Sequence, residues 1–146
     1  SAQHRQRVES ARETYHAALR TLAKAGVVAQ LEQFESWDAE VSAAEADGTQ
    51  IDAPHPVFAD RLAGQSSTED WLGLTLEAEI AANLPSPDAD RNARMALQVE
   101  LMNAGRRDLA QEDWKELRNR WCAAGPKDQL GEALRSRFFA ALQTRL

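Results

Sequence analysis

The chain has 146 residues, 43% apolar and 27% charged, with a formal charge of −6, which suits one folded domain with a core and excludes a disordered chain. Its single cysteine rules out an internal disulfide and fits a reducing, cytoplasmic setting; no apolar run approaches the roughly 20 residues that span a bilayer, so no membrane partner is expected. The charge is uneven: residues 1–90 hold 6 Lys/Arg against 16 Asp/Glu, and residues 91–146 hold 11 against 7. That pattern fits two halves that complement each other inside one domain, or an anion-binding C-terminal third.

The chain opens without methionine and already in helical pattern, as expected of a piece of a longer protein. Residues 2–25 place Val8, Ala11, Tyr15, Ala18, Leu19 and Leu22 at three- and four-residue spacings, and Gly26 stands where a left-handed cap ends a helix. Val27, Leu31, Phe34 and Val41 repeat the pattern up to Gly48, so residues 2–47 predict an antiparallel hairpin. Residues 48–66 read either as linker or as a short helix opened by Pro56, with Val57, Phe58 and Leu62 on one side. Ser67, followed by Glu69 and Asp70, signals a third helix that stops at Pro85. Ser86, Pro87 and Asp88 start a fourth, ended by Gly105. A fifth runs from about Leu109 to Gly125-Pro126, and Asp128 is the expected N-cap of the sixth.

No segment alternates as a strand would, so the fold class is all-α: about six helices in stacked antiparallel hairpins, forming a single domain over 1–146. The third and fourth helices are each apolar on two faces. Trp71, Leu74, Ala78 and Ala81 oppose Leu72, Leu76 and Ile80; Ala93, Leu97, Leu101 and Ala104 oppose Met95, Val99 and Met102. Such a central hairpin (67–104) is sandwiched between the N-terminal pair and a C-terminal hairpin (108–146), or lends its second stripe to a homo-oligomer.

On the fifth helix, Ala110, Trp114, Leu117, Trp121 and Ala124 share one side while Lys115, Glu116, Arg118 and Arg120 take the others. Each indole buries roughly 150–250 Å², so Trp114 and Trp121 read as an interior seam against Leu130, Leu134, Phe138 and Ala141 of the sixth. These residues also resemble a known pattern. Trp114-Lys115, Trp121, Gly125-Pro126, Leu134 and Arg137-Phe138 look like the repeat signature of the bacterial helical family catalogued as domain of unknown function 349. Glu79-Ile80, Ser86-Pro87, Arg94-Met95 and Gln98 are similar to the segment preceding its last repeat. The resemblance covers about residues 70–142 and implies bacterial intracellular helical repeats, often beside coiled coil, with no established activity or cofactor.

Chemistry-bearing motifs are few. His4, His16 and His55 are dispersed, Cys122 has no local partner, and no phosphate-cradling glycine loop or nucleophile elbow occurs, so neither metal nor cofactor is expected and no catalytic residue is named. Glu79 and Arg94 are expected to form a partly buried ion pair, with Gln98 adding hydrogen bonds. Arg106, Arg107, Lys115, Arg118, Arg120 and Lys127, with Arg135 and Arg137 beyond them, are the residues to test for nucleic-acid contact, although acidic residues are interleaved among them. The function these features suggest is a non-catalytic interaction or scaffolding module that binds a protein partner or itself. Weak, nonspecific nucleic-acid or ribonucleoprotein binding through the basic third is the alternative.

Overall fold

The computed structural model describes residues 1–105, 113–127 and 130–144, and every regular element among them is helical. The first, α1 (Ala2–Asp47), is one uninterrupted helix, about 69 Å long at 1.5 Å per residue. Ser1 Oγ accepts from the His4 backbone N–H at its start, and Gly48, at φ 67°, ends it. The expected hairpin is therefore a single rod, and Gly26 lies inside it. A helical glycine costs only about 1 kcal/mol relative to alanine, and Val27, Val28 and Ala29 carry the helix straight on; Gly48 terminates because the chain leaves the helix there.

Only the second part of α1 joins the folded body. Leu31, Phe34, Val41 and Ala44 are buried, whereas residues 1–26 are exposed throughout. After α1, His55 caps a short 3-10 turn (Pro56–Phe58) by accepting from Val57 N–H at 3.1 Å, and α2 (Ala59–Leu62) follows. Phe58 is fully buried, which makes this segment part of the core and not a linker.

At the centre is α3 (Trp71–Ala81), with residues buried on all sides: Trp71, Leu74, Leu76, Ala78 and Ala81. Asp70 caps it, accepting from Leu72 N–H, so the helix starts later than Ser67 suggested. Around α3 lie α4 (Arg91–Asn103, after a 3-10 turn at Asp88–Asp90), α5 (Trp114–Ala124, capped by Asp113) and α6 (Gly131–Thr144). The expected caps at Ser86 and Asp128 fare differently: Ser86 bonds Glu79 and Arg94 instead, and Asp128 lies outside the described residues.

Two expectations about packing are corrected. The fourth helix is covered on one side only: Leu101 is buried, but Met95, Val99 and Met102 are exposed. With α1 unfolded from its expected hairpin, no second layer exists to cover that face. Second, α6 lies chiefly against α3 and then against α1, not alongside α5 as a simple hairpin partner. Trp121 still reaches it. Trp71, Trp121 and Phe138 form a stack with centroid separations of 4.0 and 4.3 Å and interplanar angles of 13° and 14°. Leu117, Trp121, Ala124, Leu134, Phe138 and Ala141 are buried as the seam requires; Trp114 is half-buried and Leu130 exposed, the latter because it precedes the first turn of α6. Ala110 lies outside the described residues.

Candidate functional site

The largest polar cluster in the interior centres on Asp38, which sits on the core face of α1 between Phe34 and Val41 and is fully buried. One carboxylate oxygen accepts from Arg61 Nη1 at 2.6 Å; the other accepts from Arg135 Nε at 2.7 Å and from the Trp121 indole N–H at 3.0 Å. Arg61, from α2, also donates to Glu45, to Ser42 Oγ and to the Cys122 carbonyl. Arg135, from α6, donates to the same Ser42 hydroxyl at 2.7 Å. Both guanidinium carbons lie over the Trp71 ring, at 5.7 and 5.5 Å. Trp71 in turn donates its indole N–H to the Trp121 carbonyl at 3.0 Å. This cluster ties α1, α2, α5 and α6 together, and its oxygens are turned toward protein donors, with no reacting group aimed at a cleft.

The acidic side chains of α3 are occupied in the same way. Arg120 forks between Glu69 (2.7 Å) and Glu77 (3.0 Å), and those bonds hold its guanidinium above its ordinary pKa. Arg137 bridges Glu79 (2.7 Å) and Asp90 (2.9 Å). Burial works against its charge, but the carboxylates more than offset that and its pKa is raised. Glu79 is therefore a buried, paired carboxylate, but its cation is Arg137 and not Arg94. Arg94 donates to the Leu84 carbonyl and to Ser86 Oγ, and that hydroxyl donates to Glu79 at 2.9 Å, so the expected pair is linked through a serine. Gln98 faces solvent. Because α4 leans on α3 through one face only, Arg94 stops at the connecting turn, while α6 brings Arg137 directly over Glu79.

No family model, curated protein or solved structure matches this chain. The geometry alone must carry the functional reading.

Among the residues proposed for nucleic-acid contact, Arg106 and Arg107 lie outside the described residues. Arg118 is buried with its guanidinium 3.9 Å above the Phe34 ring, and desolvation lowers its pKa. Arg120, Arg135 and Arg137 are committed to the ion pairs above. Lys127 is exposed and bonds the Ser67 carbonyl, and Lys115 is exposed beside Trp114. The C-terminal excess of positive charge is thus spent on Asp38, Glu69, Glu77, Glu79 and Asp90: the two halves complement each other internally.

Cys122 is fully buried, and burial pushes its thiol pKa well up, which suits a core residue and not a nucleophile. Among the described residues, no group of three or more His, Cys, Asp or Glu is placed to hold a metal ion. No described helix is long and apolar enough to cross a membrane. The depressions are open and shallow; one is lined by Pro56, Asp60, Glu69, Lys115 and Asn119.

What stands unoccupied is apolar surface. Val8, Tyr15, Leu19 and Leu22 are 42%, 62%, 45% and 68% exposed on the free arm of α1. At 100° per residue they fall within about 40° of Tyr15, with Ala11 and Ala18 alongside them, whereas Leu31, Phe34, Asp38 and Val41 centre about 120° further round. The helix therefore presents two apolar faces, one filled by the body and one facing outward. The sequence displayed both stripes; it did not display that one continuous helix carries them. Asp38, Arg61 and Arg135 were missed as a cluster. Their signals were a carboxylate on an apolar stripe and, in Arg61, the sole cation between residues 27 and 90.

Proposed function

We propose that the protein is a non-catalytic helical interaction module, in which the body of α2–α6 anchors a projecting helical arm and the arm supplies the binding face. The carrying observation is the line of exposed apolar side chains Val8, Tyr15, Leu19 and Leu22 on a helix that otherwise touches nothing. A solvated helix has no use for such a stripe, whereas helix-in-groove and helix-on-helix recognition is built from side chains at these spacings. The buried ionisable groups support the same reading. Each carboxylate of the interior is engaged by arginine or indole donors, leaving no paired acid and base beside a cavity. A cytoplasmic location belongs to the proposal, the reduced thiol of Cys122 being compatible with it.

The test is affinity capture from lysate of the source cell with the wild-type chain and with a V8E/Y15E/L22E variant, each with and without nuclease. Capture that depends on the three apolar residues and survives nuclease supports the module. Capture that is unchanged by the substitutions, or lost on nuclease treatment, overturns it.

A further inference from the structure

The geometry points to a second copy of this chain as the occupant of the arm, paired antiparallel over residues 8–25; this deepens the interaction-module reading and rests on it. Assigned to a heptad, the arm places Val8, Tyr15 and Leu22 at one core position and Ala11, Ala18 and Ala25 at the other. In an antiparallel pair each layer joins one position to the other. With Val8 against Ala25 of the second copy, every layer becomes large against small: Val8–Ala25, Ala11–Leu22 and Tyr15–Ala18, each repeated by symmetry. A parallel pair would instead stack Tyr15 on Tyr15 and Ala18 on Ala18, alternating crowded layers with empty ones.

Charge selects the same arrangement. In a parallel pair Arg7 faces Arg12 of the second copy, twice per dimer. In the antiparallel pair Arg12 lies beside Leu19, and its aliphatic stem covers that flanking leucine. The arm carries five basic against two acidic residues, whereas residues 27–47 of α1 carry six acidic and no basic ones. Antiparallel pairing runs the basic start of each arm, Arg5 and Arg7, toward Glu32 and Glu35 of the other copy, and also sets the helix dipoles head to tail. The register is fixed as well: sliding by one heptad puts either His4 opposite Leu22 or Glu32 opposite Val8. The path is open, because Gly26, Ala29, Gln30 and Gln33 on that side of α1 are exposed and the body packs on the other side.

The experiment combines sedimentation equilibrium with cysteine crosslinking of the full chain. Wild type is expected to dimerise as concentration rises, and Leu22→Glu to weaken that association at least 100-fold without changing the circular dichroism of the body. Oxidation of an equimolar mixture of Val8→Cys and Ala25→Cys is expected to give the disulfide-linked heterodimer, while neither variant alone crosslinks; Cys122 is buried and does not compete. A Val8→Cys chain that crosslinks with itself overturns the antiparallel assignment. A chain that stays monomeric throughout overturns self-pairing. In that case lysate capture still dependent on Val8, Tyr15 and Leu22 would leave the module reading standing, and capture independent of them would remove both.

Discussion

Asp38 is a carboxylate with no water contact, held by two guanidinium groups and an indole N–H. Its burial is tolerable because its donors complete its shell, and removing it strands Arg61 and Arg135 in the interior. Asp38→Ala should therefore cost about 3–5 kcal/mol, the range for breaking a buried pair from one side, measured by urea unfolding. A loss below about 1 kcal/mol would mean that the cluster is not holding the helices together. Cys122 makes a second residue-scale prediction: its buried thiol should resist alkylation in the native chain and react only on unfolding, at the rate of global opening. Glu35, half-buried beside Asp38 and Glu32, has its pKa raised chiefly by desolvation. A carboxyl whose folded pKa is raised favours the folded state most below its unfolded pKa, and that contribution is lost as pH climbs through the folded value. Glu35→Gln should accordingly raise stability at neutral pH, and the gain should shrink on acidification through the carboxylate range. A variant that is equally stabilised at both ends would contradict the assignment.

At the scale of elements, glycines separate what was legible from what was not. Gly26 and Gly48 looked alike as stops. The difference lies in the residues after them: Val27-Val28-Ala29 prolongs a helix, whereas Gly48 takes φ 67° and the chain turns away. A Cβ at Gly26 meets nothing within 4 Å, so Gly26→Ala should strengthen the rod by about 1 kcal/mol, read as increased helicity of the arm. Gly131, at the start of α6, is the converse: a Cβ there approaches Trp71 at 3.1 Å and Pro126 at 3.3 Å. Trp71 cannot withdraw easily, being stacked on Trp121 and bonded to its carbonyl. Gly131→Val should cost about 1–3 kcal/mol through overpacking, seen as a lower unfolding midpoint. The apolar periods of α3, α5 and α6 were readable because each helix buries one dense stripe. The partner of each stripe was not, since spacing within a helix carries no information on which neighbour covers it; α6 chose α3 over α5 for that reason.

For the whole molecule, the sequence-level charge asymmetry turned out to be the plan of the interior: acidic α1–α3 and basic α5–α6 meet at Asp38, Glu69, Glu77 and Glu79. What remains is a body whose charges and rings are used internally, and an arm whose apolar line is not. Hydrogen exchange along α1 tests that division most directly, measured at low and high protein concentration. The account predicts that amides of residues 31–44 are protected at every concentration, and that those of residues 8–25 exchange fast when dilute and become protected as the concentration rises. Protection of residues 8–25 in the dilute monomer would show the arm folded against its own body, and would contradict the account.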